Sequence, residues 1–146
     1  MRNQIINLVS FFVLLALSQG CDQSTKSEDE ILADLKISQE ILSIGDTLKG
    51  TFTVTNNTPE IKSFYFSTSC QFGWILSLNG VTLASAGTAC YQVPTELHLL
   101  PSESKKFEIK YYLVDNEDNQ LQPGNYEIEA FLINTAYKVK KNFQIK

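Results

Sequence analysis

Alternation of apolar and polar residues with a period of two is the feature of this sequence that most constrains its fold. In TLKGTFTVTN (residues 47–56), Leu48, Phe52 and Val54 fall on one face, and a lysine and threonines fall on the other. Successive side chains of a β-strand point to opposite faces, so each such segment predicts a strand with one apolar face. From Ala33 onward no window has a convincing helical period, and we therefore expect an all-β domain.

About eight short strands follow one another along the chain, separated by turn residues. The first is predicted over DLKISQEIL (34–42) and is ended by Gly45-Asp46, and Asn79-Gly80 has the composition of a tight hairpin turn. Because every strand has an apolar face, a second sheet must cover the first. The sequence therefore predicts an immunoglobulin-like antiparallel β-sandwich of about 7–8 strands, with a closed barrel as the alternative.

The chain before these strands divides into two segments. Residues 1–20 combine a positive charge at Arg2, an apolar run and small or polar residues, which is the organisation of a secretory signal peptide. An uncleaved membrane anchor is the alternative, although the run is shorter than the roughly 20 apolar residues of a spanning helix. Residues 21–32 are polar and acidic, which predicts a flexible tether. The β-domain is then assigned to residues 33–146.

The end of the first segment, Leu17-Ser18-Gln19-Gly20-Cys21, resembles the lipobox of bacterial lipoproteins, in which the cysteine becomes the N-terminus and carries lipid. Gly20-Cys21 fits, whereas Leu17 lies one residue too far from the cysteine and Gln19 occupies a position that is usually small. The resemblance implies lipidation of Cys21 and a location in the bacterial outer membrane or cell envelope, periplasmic or surface-exposed. Several acyl chains would anchor firmly, since two are already stable. The acids at 28–30 fit either a surface-sorting signal or a solvated spacer.

The chain has three cysteines, so at most one intramolecular disulfide can form. If Cys21 carries lipid, Cys70 and Cys90 remain, on either side of the predicted hairpin and in a compartment that permits disulfides. We expect these two to be bonded, which stabilises by about 3 kcal/mol in the chain-entropy model. Two free thiols or a metal pair are the alternatives, but with His98 as the single histidine the ligands fall short of a closed zinc site.

The sequence gives little support for catalysis or for nucleic-acid binding. The net charge of −4 is mild, and the basic stretch KVKKNFQIK has too few charges on one strand for a nucleic-acid footprint. His98 alternates with Leu97 and Leu99, so we interpret it as a surface side chain, and Trp74 as a core residue. The acids of DNEDNQ (115–120) lack the glycine and the distal glutamate of an EF-hand loop. We predict that the protein is not an enzyme and has no cofactor or metal.

The order of motifs from about Leu48 to Ile133 resembles the BsuPI domain, which is named for an intracellular proteinase inhibitor and implies an immunoglobulin-like fold. The resemblance is carried by FTVTNN, FYFSTSCQFGWIL, LNGVTL, CYQVPTELHLLPSESKKF and LQPGNYEIEAFL. Gly73 replaces an acidic residue of the family pattern, which puts in doubt any role of that carboxylate. Ser102 replaces a glycine, a turn variation from which we expect little consequence. The matching residues, most of them expected to be structural, are Cys70, Phe72, Trp74, Gln92, Pro123, Gly124 and Tyr126.

Two functions agree with these observations. The first is a lipid-anchored envelope protein with a non-catalytic domain that binds a protein partner, with proteinase inhibition implied by the family name. Its interaction loop is predicted at Tyr91, Gln92, Val93 and Pro94, because Cys90 and Pro94 would limit the flexibility of this loop, and a pre-organised loop loses less entropy on binding. The second is a structural or accessory envelope lipoprotein that recognises a glycan or a larger complex and inhibits nothing.

Overall fold

A computed structural model describes residues 30–146, so the predicted signal peptide, Cys21 and most of the tether lie outside the described residues. The described chain forms ten strands. They are β1 (Ile31–Ile37), β2 (Ile41–Leu42), β3 (Thr47–Asn56), β4 (Lys62–Phe66), β5 (Phe72–Leu78), β6 (Val81–Ala86), β7 (Thr95–Leu99), β8 (Ser104–Tyr112), β9 (Gly124–Leu132) and β10 (Lys138–Ile145). Within residues 30–146 no helix has the length and apolar character needed to cross a membrane.

Two sheets pack against each other. The three-stranded sheet has the order β1-β3-β8, and the five-stranded sheet has the order β2-β10-β9-β5-β6. Aromatic side chains join their inner faces: Phe52 of β3 stacks on Phe72 of β5 with ring centroids 5.5 Å apart, and Trp74 of β5 meets Tyr111 of β8 at 4.7 Å. The predicted all-β sandwich is confirmed, whereas its immunoglobulin-like connection stays a prediction.

The first predicted strand is wrong in its extent, because DLKISQEIL contributes to two strands in different sheets. β1 pairs antiparallel with β3, with Leu35 opposite Phe52, whereas β2 pairs parallel with β10. Leu35 and Leu42 are both buried, yet they are an odd number of residues apart and would face opposite sides of one continuous strand. The crossing between sheets lets both leucines enter the core. The described chain therefore has ten strands rather than about 7–8.

The core follows the alternation that the sequence shows. In β3, Leu48, Phe52 and Val54 are at most 1% exposed, and Lys49 and the threonines lie on the other face. In β9, the hydroxyl of Tyr126 donates a hydrogen bond of 2.6 Å to the backbone carbonyl of Gln122, and burial raises the pKa of this phenol. A tyrosine bonded in this way to the backbone a few residues upstream is a feature of immunoglobulin-type sandwiches.

Candidate functional site

β4 and β7 form a two-stranded ribbon, which we call the β4–β7 ribbon, that extends the three-stranded sheet. The ladder of β3 and β8 ends at the pair Thr55–Ser104, and that of β4 and β7 begins at the pair Lys62–Leu99. The chain passes from β3 through a turn into β4, and from β7 through a second turn into β8. The β4–β7 pair therefore follows directly on the β3–β8 pair. Phe64 of the ribbon meets the ring of Tyr137 edge-on at 5.8 Å. This contact packs the ribbon against the turn that precedes β10.

Asn56 fixes the point at which the ribbon leaves the sheet. Its side chain is fully buried, and Nδ2 donates hydrogen bonds to the backbone carbonyls of Glu60 at 2.7 Å and Leu99 at 2.9 Å. Its Oδ1 accepts hydrogen bonds from the backbone N–H and the hydroxyl of Thr58. Its own carbonyl accepts one from the N–H of Ser102 at 2.7 Å. One residue therefore bonds both turns that connect the ribbon to the sheet.

The predicted interaction loop lies between β6 and β7, next to the end of the ribbon. Cys90 at its base is disulfide-bonded to Cys70, which confirms the pairing expected from the cysteine count. The N–H of Tyr91 donates to the hydroxyl of Ser69, and the N–H of Ser69 donates to the carbonyl of Tyr91, both at 3.0 Å. The base of the loop is therefore held against the segment that connects β4 to β5.

The four residues predicted to interact, Tyr91, Gln92, Val93 and Pro94, are all exposed. Tyr91 has 81% and Val93 has 58% of its surface accessible to solvent. The N–H of Val93 donates to the carbonyl of Tyr91 at 2.8 Å, which makes a tight turn between them. The loop therefore combines exposed apolar side chains with restraint of its backbone, the combination that favours binding of another protein.

The outer face of the ribbon carries three polar residues, Ser63, His98 and Glu96, whose contacts with one another were not predicted from the sequence. The Ser63 hydroxyl lies 2.8 Å from His98 Nδ1, and His98 Nε2 lies 2.9 Å from a carboxylate oxygen of Glu96. About half of the His98 and Glu96 side chains is exposed, at 55% and 50%. His98 is thus a surface residue as predicted, but it is bonded to a serine and a carboxylate. Tyr65, which pairs with Glu96, is 71% exposed on the same strand as Ser63.

Other residues considered from the sequence serve the fold. Trp74 is 7% exposed and packs on Tyr111, as expected of a core residue. In the acidic loop, hydrogen bonds from the Asn119 side chain, and then from the backbone N–H groups of Asn119 and Glu117, hold the pKa of Asp115 below its usual value. Across residues 30–146, no three or more His, Cys, Asp or Glu side chains come together in a way that could hold a metal ion.

Solved structures with a similar fold share little sequence with this chain. The alkylpurine DNA glycosylase AlkC of Pseudomonas fluorescens, bound to DNA with an abasic site analogue, aligns with a TM-score of 0.53 and 11% identity, over 80% of this chain and 30% of that chain. The β-glucosidase EmGH1 of Erythrobacter marinus gives 0.49 and 12%, over 80% and 15%. The CARDB domain of the PF1109 protein of Pyrococcus furiosus, in complex with di-metal ions, gives 0.47 and 12%, over 80% and 88%. Identities this low concern the fold alone, and the chain spans less than a third of either enzyme.

No curated protein sequence matches the chain significantly. The family model described as BsuPI, intracellular proteinase inhibitor, matches residues 35–137. This range begins in β1 and ends just before β10, so it includes the ribbon, the disulfide and the exposed loop. Because the match covers well over half of the sequence, the chain belongs to the BsuPI family of intracellular proteinase inhibitors.

Proposed function

We propose that the chain is a lipid-anchored protein of the bacterial cell envelope whose β-sandwich binds and inhibits a proteinase through the loop Tyr91–Pro94. The observation that carries this proposal is an exposed and restrained loop in a member of a proteinase inhibitor family. A loop that is already ordered loses little conformational entropy when it enters the cleft of a partner. The motif at Cys21 supports the envelope location, and the disulfide agrees with it because disulfides persist in oxidising compartments.

The distribution of exposed apolar side chains supports binding at the ribbon end of the domain. Among residues 30–146, half of the large apolar side chains that are exposed lie on the β4–β7 ribbon, at its flanks or on the loop, and these are Ile61, Tyr65, Tyr91, Val93 and Leu100. Tyrosines often carry a large part of the binding energy at protein interfaces. We therefore assign Tyr91, the most exposed of the five, as the anchor of the interaction.

The test is an inhibition screen of the full chain, with its disulfide intact, against a panel of serine and cysteine proteinases. We expect inhibition of at least one enzyme with a Kd of about 1 μM or lower, and a loss of about tenfold or more in Tyr91→Ala. Val93→Ala is compared with Val81→Ala, since Val81 is similarly exposed, at 63%, but lies on β6. Absence of inhibition across the panel, or equal effects of the two valine variants, would contradict the assignment.

A further inference from the structure

The hydrogen-bonded line of Ser63, His98 and Glu96 has no part in the proposed inhibition. A carboxylate only accepts hydrogen bonds, so the nitrogen that faces Glu96 at 2.9 Å, Nε2, carries the proton of a neutral His98. Nδ1 then has a free lone pair, and the Ser63 hydroxyl donates to it over 2.8 Å. Glu96 therefore selects the tautomer in which the imidazole can take a proton from the serine.

The backbone holds these three side chains together. Ser63 is directly opposite His98 in the β4–β7 ladder, and Glu96 lies two residues from His98 on the same strand, so all three share the outer face. The register between the strands is continuous over all of β4. At one end of the ribbon Asn56 bonds both connecting turns, and at the other end the disulfide closes the loop. The fold thus places all three residues next to one another on the outer face of the ribbon.

We propose that Ser63 is a nucleophile that takes up a small acyl group from activated esters, with His98 as general base and Glu96 as a positioning residue. The Ser63 oxygen attacks the ester carbonyl carbon while His98 Nδ1 accepts the hydroxyl proton. The bond from that carbon to the leaving oxygen then breaks, and His98 returns the proton to the departing alcohol. The products are an ester on Ser63 and a free alcohol, and the step requires no oxidant or metal.

Serine hydrolases on unrelated folds also use the order serine, imidazole and carboxylate for acyl transfer, with the serine on Nε2 and the carboxylate on Nδ1, whereas here Ser63 meets Nδ1 and Glu96 meets Nε2. Here Ser63 is exposed on the outer face of the ribbon and lies at the edge of an open recess that Lys62, Phe64 and Tyr137 also line, which admits small esters. Tyr65 stands beside Glu96 and offers an exposed aromatic surface to an aryl leaving group. Small aryl esters are therefore the substrate class that fits the site.

The test uses the full chain and p-nitrophenyl acetate, with release of p-nitrophenol followed by absorbance and the modified residue located by peptide mass spectrometry. We expect an acetyl group on Ser63, no acetyl group at position 63 in Ser63→Ala, and formation about 100-fold slower in His98→Gln. Ser104→Ala is the matched control, because Ser104 is an exposed serine whose hydroxyl lies 2.8 Å from that of Thr55 rather than from a histidine. Acetylation confined to lysines, or an unchanged rate in His98→Gln, would overturn the proposal.

The role of Glu96 has its own readout, because His98 is the only histidine of the chain and gives a single imidazole spectrum. At about pH 8, where an ordinary imidazole is neutral, nitrogen NMR of the wild type should show Nε2 protonated and Nδ1 unprotonated. In Glu96→Gln the amide can either donate or accept, so we expect a mixture of the two tautomers together with slower acetylation of Ser63. A purely structural role of Glu96 would leave the tautomer unchanged, and a wild-type spectrum with Nδ1 protonated would overturn the proposal.

Discussion

Asn56 has a structural role that its sequence motif alone does not show. It ends FTVTN, part of the family-like pattern, and its buried amide bonds the turn before β4 and the last residue of β7. We expect Asn56→Ala to lower the free energy of unfolding by about 3 kcal/mol, because the carbonyls of Glu60 and Leu99 lose their donor in a buried site. Chemical denaturation of the variant and the wild type measures this difference.

The control for Asn56 is its neighbour Thr55. The Thr55 hydroxyl is exposed and lies 2.8 Å from the hydroxyl of Ser104, so Thr55→Ala should change the free energy of unfolding by less than about 0.5 kcal/mol. If Asn56→Ala cost no more than Thr55→Ala, the amide would not be what holds the ribbon to the sheet.

Ser102 replaces the glycine of the family pattern, a change from which the sequence alone suggested little consequence. In the structure its φ is +64°, in the left-handed region where a side chain is disfavoured. We expect Ser102→Gly to stabilise the fold by about 0.5–1 kcal/mol, measured by chemical denaturation. Ser104→Gly, in the extended β8, should instead destabilise it, since glycine weakens a strand. If both substitutions changed the free energy of unfolding in the same direction, the backbone conformation of Ser102 would not be the cause of the change in Ser102→Gly.

At the scale of elements, close packing of β5 explains why Gly73 departs from the family pattern. A Cβ at Gly73 would lie 2.9 Å from the Ala86 carbonyl oxygen and 2.9 Å from the Phe131 ring. A Cβ at Gly87, where the loop begins, would lie 2.7 Å from the Gly73 Cα. The space that an acidic side chain needs is thus filled by β6 and by Phe131 of β9, and the start of the loop rests directly on β5.

This packing predicts a measurable coupling between two residues. Gly73→Asp, which introduces the acidic residue of the family pattern, should lower the free energy of unfolding by about 1–3 kcal/mol through overpacking. Phe131→Ala should relieve part of that loss, because the ring is one of the two groups that the new side chain meets. A double-mutant cycle in chemical denaturation measures the coupling. Additive effects of the two substitutions would show that Phe131 does not exclude the acidic residue.

The disulfide joins the segment before β5 to the interaction loop, and we expect it to stabilise both the fold and the loop. Replacing Cys70 and Cys90 together by serine removes a cross-link between residues 20 apart in sequence. The free energy of unfolding should fall by about 3 kcal/mol in the chain-entropy model, and proteolysis within residues 87–94 should become faster. Unchanged cleavage of this segment in the double variant would show that the hydrogen bonds of Ser69 alone restrain the loop.

The sequence predicts what depends on neighbours along the chain and misses what depends on distant pairing. The bounds of β3 and the burial of Phe52 follow from local alternation, and the structure agrees with both. The break of the first strand does not follow from local alternation, because the alternation cannot show that Leu35 and Leu42 enter the core from different sheets. Glu96 and His98 share a face by their spacing, but the serine that completes the line comes from a strand whose register only the fold determines.

At the scale of the whole molecule, the chain enters the domain beside the ribbon. The carbonyl of Glu30 accepts a hydrogen bond of 3.0 Å from the N–H of Asn57, and Ile31 pairs with Asn56 in the first ladder. From a lipid on Cys21 to this point a fully extended chain spans at most about 30 Å. If Cys21 is lipidated, the ribbon end of the domain is therefore the end tied to the membrane, and a partner must be reached close to the lipid surface.

Replacement of Cys21 tests this arrangement. In Cys21→Ser we expect loss of metabolic labelling with palmitate, because the sulfur proposed to accept lipid is gone. The unfolding midpoint of the variant and its Cys70–Cys90 disulfide should match those of the unlipidated wild-type chain, since Cys21 lies outside the domain that residues 30–146 form.

The matched control is the double replacement of Cys70 and Cys90, which should keep the palmitate label and the membrane fraction while losing stability. The two variants thus test separately whether Cys21 anchors the chain and whether Cys70 and Cys90 stabilise the fold. If Cys21→Ser kept its palmitate label, the lipid would be attached elsewhere. The proposed route of the domain to the envelope, which rests on the motif at Cys21, would then need to be revised.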